Sequence, residues 1–511
     1  MNHRTLIRAG VVLLALAAAF AWRHRMHEAS AGGEAGVVVQ PRAGGFDYGR
    51  LHFTACELPQ PQGSATTAAW CAPFEVPEDP DAATTGRRIG LRLALVASDA
   101  AAPEPDPVVL LAGGPGQSAV ESWPQVAAAF APLLRHRHVL LLDQRGTGGS
   151  NALACPRAAD EFDRAFDAAR VRAQARECLA SVSTHADPRQ YTTAAALRDL
   201  EAVREALGAP RLNLIGVSYG TRVAQQYMKR HPAAVRSVVL DSAVPNDLVL
   251  GSEFASNLDD SLRAQLGACS ATPACAQAFG GPWANLRALQ ASLRQSPMDV
   301  AYRDPVSHAP RQARLDAFTL AMLARLYAYA PETAALLPLT VARARDGDAA
   351  PMLGQLGMLE RDLESLGENV MQYSVACAED APWLEPRAAD ADTLLGSTLS
   401  DVFRETCTVW PRGERAADFA EPARGETPVL LLAGEFDPIT PPRYAERIAA
   451  ALPNSRVLVA KGQGHSVMGR GCLPRLVGEF VADLDPAHLD AGCVADFGPL
   501  PAFLDFNGAA P

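Results

Sequence analysis

The sequence predicts an α/β fold with a mostly parallel central sheet flanked by helices, interrupted by a large helical insertion. Three observations carry this reading. Short apolar runs (Leu212–Ile215, Thr427–Leu432 and Ser455–Ala460) each end in a Gly-rich polar loop, as strands buried on both faces do. Those loops hold a serine, an aspartate and a histidine in that order: Ser218, Asp437 and His465. Between the first and second run lies a long stretch of helical periodicity broken by Pro, Gly and charged residues.

Ser218 stands in Gly216-Val217-Ser218-Tyr219-Gly220, after the first run and before a helical stretch from Thr221 to His231. A serine on a sharp strand-to-helix turn needs neighbours without a Cβ, so that strand and helix approach closely and Oγ stands clear. A serine hydroxyl is a weak nucleophile at neutral pH and needs a base. His465 is the candidate base, and Asp437 the carboxylate that accepts its other ring N–H. Glu435 is the nearest rival; Asp437 is preferred because Pro438 and Thr440-Pro441-Pro442 pin its loop. Ser, Asp, His is the chain order of α/β-hydrolases, and each residue follows the C-terminal end of a predicted strand, where open sheets place their sites.

A further strand, within Pro107–Leu111, runs into Gly113-Gly114-Pro115-Gly116. A Gly-rich loop here supplies one oxyanion-hole donor, and the N–H of Tyr219 the other; such donors are worth about 2.7–4 kcal/mol each. No Lys-Ser/Thr follows, so a phosphate-binding loop does not fit. The strand His138–Leu142 ends in Asp143-Gln144-Arg145-Gly146-Thr147-Gly148-Gly149-Ser150, which taken alone also fits a plain turn.

Together, GGPG, DQRGTGGS, GVSYGTR, GEFDPITPP and GQGHS resemble, in order and spacing, the prolyl aminopeptidase and tripeptidyl aminopeptidase family of α/β-hydrolase serine exopeptidases. The resemblance extends from Phe74 to Cys493 and includes entry strands from Val76 to Val96. Length and cysteines favour its secreted tripeptidyl aminopeptidase branch. The resemblance implies Gly114 as the donor within the oxyanion loop. Prolyl aminopeptidases usually carry a histidine where this chain has Ala112, which argues against strict proline specificity.

The expected organisation is an export signal and the start of a tether over 1–31, a hydrolase core over 46–245, a helical cap over 246–426 and the rest of the core over 427–511. Arg4 and Arg8 precede an apolar run from Ala9 to Trp22, shorter than the about 20 residues a spanning helix needs. Cleavage, with no stable membrane span afterwards, is therefore favoured over an uncleaved anchor, which Arg23 and Arg25 keep open. The site is secreted or periplasmic on this reading. Ten cysteines in an exported chain suggest disulfides, with buried free thiols the alternative. The simplest pairing joins neighbours: Cys56 with Cys71, Cys155 with Cys178, Cys269 with Cys275, Cys377 with Cys407, and Cys472 with Cys493. No C-x-x-C or metal-ligand cluster stands out, and no cofactor or metal is expected. A net charge of −11 argues against nucleic acid as a partner.

An exopeptidase has to recognise a free α-ammonium, and the direct device is a carboxylate at a fixed distance from the nucleophile. Glu379 and Asp380, in the cap beside Cys377, are the candidates, and the resemblance also points to acids near this cysteine. The expected activity is removal of single residues or short di- or tripeptides from peptides with a free N-terminus. A carboxylesterase or thioesterase would use the same triad, and a catalytically silent binding protein on this fold is the reading from another class.

Overall fold

The computed structural model describes residues 40–42, 44–59, 66–155, 166–365 and 370–509; the expected signal over 1–31 lies outside them. Among the described residues are fifteen strands: β1 (Gln40–Arg42), β2 (Gly45–Tyr48), β3 (Leu51–Pro59), β4 (Thr66–Pro77), β5 (Arg88–Val96), β6 (Val108–Leu111), β7 (Val139–Leu142), β8 (Leu212–Val217), β9 (Val235–Asp241), β10 (Met298–Arg303), β11 (Pro310–Leu315), β12 (Val429–Gly434), β13 (Ser455–Ala460), β14 (Phe503–Asp505) and β15 (Gly508–Ala509). Eleven of them form one sheet in the order β1-β2-β3-β4-β5-β7-β6-β8-β9-β12-β13. From β7 to β13 every pairing in this sheet is parallel. These strands are mostly apolar, interrupted by Asn213 in β8 and by Arg236 and Ser237 in β9, and β7 and β12 are buried along their whole length. The first five strands add an antiparallel meander to that frame, so the parallel character belongs to the catalytic half.

Alternation along the parallel strands divides the core in two. Val109, Leu140, Leu214, Val238 and Leu431 face one side with Val223 and Tyr227 of the helix Tyr219–Arg230. Val108, Leu141, Ile215, Val239 and Leu430 face the other with Trp123, Phe130 and Phe480. The inner parallel strands β6, β8, β9 and β12 thus pack on both faces, whereas the edge strand β13 is only partly buried.

The chain leaves the sheet after β9 and returns at β12. The excursion packs around its own core, with Leu258, Leu262, Leu286, Leu320, Leu323 and Met352 at its centre. It is largely helical, as expected from the periodicity, with the helix Ala317–Ala328 inside the predicted stretch. It also carries the antiparallel hairpin β10–β11, which the sequence analysis did not anticipate. The five neighbour disulfides all form, with Cα separations of 5.1 to 6.5 Å. Cys377–Cys407 joins two helices of the cap, Met371–Glu379 and Thr398–Cys407.

One buried ion pair anchors the loop after β7. Arg145, 2% exposed, donates from Nε and Nη2 to Asp199 Oδ2 and Oδ1 at 2.6 Å each, and from Nη1 to the carbonyls of Glu78 and Gln190. A bidentate pair with its remaining donors satisfied is stable in place, but neither partner tolerates loss of the other. Arg145→Met should therefore destabilise the fold by about 3–5 kcal/mol, and adding Asp199→Leu should recover much of that loss. Urea denaturation of the two variants checks both expectations.

Candidate active site

β8 leads into Ser218, the candidate nucleophile. Ser218 has φ 53° and ψ −120°, a strained conformation for a residue with a Cβ, and the helix Tyr219–Arg230 starts directly after it. The turn is held from both sides. The Ser218 N–H donates to the Asp241 carbonyl at 2.9 Å, and the Ser218 carbonyl accepts from Thr221 N–H and Oγ1 at 2.9 and 2.6 Å. Gly220 is required here, because a Cβ would collide with the carbonyls of Leu111 and Ala112 at the end of β6.

Asp437 and His465 meet as expected. His465 Nδ1 lies 2.8 Å from Asp437 Oδ2, which leaves Nε2 without a role in that pair and free to act as the candidate base. The Asp437 carboxylate also accepts from the N–H groups of Ile439 and Thr440 and from Thr440 Oγ1, each at 2.8 Å. Burial would raise its pKa, yet the His465 charge and these donors hold it down at about 2. Burial likewise works against the imidazolium, but Asp437 beside it raises the His465 pKa above the usual imidazole value. The rival Glu435 is exposed and caps the Gly462 N–H instead.

One residue at this site escaped the sequence analysis. Asp241, at the end of β9 and 1% exposed, accepts the N–H groups of Val467 and Met468 on its carboxylate at 2.9 Å each. Its carbonyl holds Ser218. The next residue, Ser242, accepts the Ser466 N–H on Oγ at 2.8 Å. One strand end thereby ties the nucleophile turn to the loop that follows the base. Ser218, Ser242 and Ser466 all have positive φ, so backbone strain concentrates at this junction. Burial pushes the Asp241 pKa up to about 6, against the pull of its two backbone donors and of His465. In sequence it reads only as the last residue of an apolar run.

The glycine loop after β6 lies against the nucleophile. A Cβ on Gly113 would come within 3.2 Å of that of Ser218, and Gly114 takes φ +101°. Behind it, the Asp143 carboxylate accepts from Ser118 Oγ at 2.5 Å, from Val120 N–H at 3.0 Å and from Gly149 N–H at 3.0 Å. The segment 143–150 is thus a brace for the glycine loop rather than a plain turn. Tyr219, the first helical residue, brings its backbone N–H to the helix N-terminus, where donors are unpaired along the chain.

The structure divides the two cap acids. Asp380 is committed to Arg222, its oxygens 3.2 and 3.0 Å from Nη1, and it also accepts the Leu250 N–H at 2.9 Å. A carboxylate already paired with a cation gains less from a second one, so of the two candidates Asp380 is the less available. Among the described residues Glu379 accepts only from Thr193, from N–H at 2.7 Å and from Oγ1 at 2.8 Å, and Thr193 Oγ1 lies 2.7 Å from the Tyr219 hydroxyl. Both partners of these acids, Thr193 and Arg222, are far away in sequence.

At the seam between cap and core a cavity of about 240 Å³ opens beside Asp437, lined among others by Asn257, Ser261, Glu435 and Arg443. Among the described residues, no group of three or more His, Cys, Asp or Glu side chains could hold a metal ion. No described helix is long and apolar enough to cross a membrane.

Comparison with known proteins bears on fold and family. Residues 106–277 match the family described as alpha/beta hydrolase fold, and residues 392–493 the family described as TAP-like protein. The chain is 25% identical over 479 residues to serine protease Hip1 of Mycobacterium tuberculosis, covering 84% of this chain and 88% of that protein. It is 26% identical over 403 residues to a tripeptidyl aminopeptidase of Streptomyces lividans, covering 70% of each. A proline iminopeptidase crystal structure from Mycobacterium smegmatis overlaps 81% of this chain and 98% of its own, at 19% identity and a TM-score of 0.38.

Asp437→Asn should lower kcat by about 10⁴-fold while leaving the fold intact. Asp241→Asn removes a negative charge that, with Asp437, favours the imidazolium, whereas Arg325 opposes it. The His465 pKa should therefore fall, and the acid limb of the kcat/KM profile should move to lower pH. A pH–rate profile of the Asp241→Asn variant beside the wild type tests this.

Proposed function

We propose that this α/β-hydrolase serine peptidase, similar to the TAP-like family, is an exported aminopeptidase that releases single residues or short di- or tripeptides from free N-termini. Ser218 Oγ attacks the scissile carbonyl as its proton passes to His465 Nε2. The oxyanion is met by the N–H groups of Gly114 and Tyr219. His465 then gives the proton to the departing amine, the C–N bond breaks, and an ester remains on Ser218. Water, deprotonated by the same imidazole, hydrolyses that ester and releases the N-terminal fragment.

The observation that carries the exopeptidase reading is Glu379. It is a carboxylate 1% exposed, without a cation of its own at bonding distance, and Thr193 links it to the side chain of the residue after the nucleophile. Burial and the neighbouring Asp380 charge push its pKa up to about 7, against Arg222 and the Thr193 donors. A buried carboxylate in that condition gains from an incoming ammonium, which would bring the pKa down again. Names among the relatives support the substrate class, since two are tripeptidyl aminopeptidases. The disulfides fit an oxidising compartment and so support export.

Amino-acyl and tripeptidyl anilides and simple acyl esters, each with a free or blocked N-terminus, test the proposal. Free N-termini should be preferred on amides, and Glu379→Gln should reduce that preference at least tenfold while sparing the esters. Equal cleavage of N-blocked amides would remove the exopeptidase reading, and cleavage of esters alone would replace it with an esterase.

A further inference from the structure

Four arginines are buried among the described residues. Three of them face an aspartate: Arg137 with Asp106 at 2.7 Å, Arg145 with Asp199 at 2.6 Å, and Arg222 with Asp380 at 3.0 Å. The fourth, Arg325 on the cap helix Ala317–Ala328, is 9% exposed and pairs with no carboxylate among the described residues. Its Nη2 donates to the Tyr329 hydroxyl at 3.3 Å, and its guanidinium lies 4.7 Å from the Phe254 ring centre and 5.7 Å from that of Tyr329. Nη1 is enclosed and has no hydrogen-bond partner. Aromatic faces offset only part of the cost of burying a cation, and a buried donor without a partner adds to it.

The position of this charge gives it meaning. The Tyr329 carbonyl accepts the His465 N–H at 2.8 Å, and its ring meets the imidazole edge-on at 5.3 Å. Arg325 is therefore one aromatic ring away from the catalytic base. On the proposed mechanism the base protonates the departing amine, which puts the leaving peptide on the His465 side and the acyl part, with its ammonium, on the Glu379 side. We propose that Arg325 binds the free α-carboxylate of the leaving peptide, so that the enzyme favours short peptides whose C-terminus falls just past the scissile bond. This rests on the peptidase reading above. A bound carboxylate would complete the enclosed Nη1 and screen a cation that otherwise opposes protonation of His465.

Free-N-terminus peptides of increasing length, each as C-terminal acid and C-terminal amide, supply the test. In the wild type the shortest cleaved acid should exceed its amide in kcat/KM by roughly tenfold to a hundredfold, with the ratio shrinking as the leaving peptide lengthens. Arg325→Met should bring the ratio near one, and Arg325→Lys should keep part of it. Calorimetric binding of the same acid and amide to Ser218→Ala should show the same discrimination without turnover. Equal cleavage of acids and amides by the wild type, which requires no variant to fold, overturns the proposal, as does a ratio that survives in Arg325→Met. If peptides with free N-termini are not cut in either form while esters are, the peptidase reading fails first and takes this inference with it.

Discussion

Asp241 is the constraint on which the site depends. A serine turn on one strand and a histidine loop on another have no covalent reason to keep a fixed distance. Here one residue holds both, through its carbonyl on Ser218 and its carboxylate on the backbone after His465. A buried carboxylate spends its charge on whatever donors it can reach, and the two N–H groups that it reaches belong to the loop that must not drift. The parallel register of β8, β9 and β12 sets where this carboxylate stands, since each strand buries both faces and cannot slip by one residue.

A second chain of contacts joins the cap to the nucleophile helix. Asp380 grips Arg222, one turn beyond Ser218, and Glu379 reaches Tyr219 through Thr193. The two adjacent acids thus address the same helix differently, one through an ion pair and one through neutral donors. The cap meets the other end of the relay through Tyr329, whose carbonyl and ring both engage His465. The cap is thus fastened both beside His465 and to the helix that follows Ser218.

The parallel half of the sheet was legible because strands buried on both faces leave unbroken apolar runs, as in VLLL of β7 and VLLLAG of β12. Ser218, Asp437 and His465 were legible because each follows such a run in a loop too rich in Gly and Pro to continue it. The cap hairpin β10–β11 was not: Met298, Val300 and Tyr302 alternate along MDVAYR, but the run is short and its partner PRQARL is mostly exposed, with only Ala313 and Leu315 turned inward. Asp241 was hidden for a different reason: its partners lie more than two hundred residues away, and nothing local marks a strand-final aspartate as a clamp. The same distance concealed that Arg222 neutralises Asp380 and not Glu379.

Every disulfide links one cysteine to the next along the chain, at separations of 15, 23, 6, 30 and 21 residues. A polypeptide threading into an oxidising space from its N-terminal end would therefore meet each correct thiol before any competitor had emerged. Vectorial delivery alone would set the connectivity, so maturation would have little need of an isomerase to reshuffle errors.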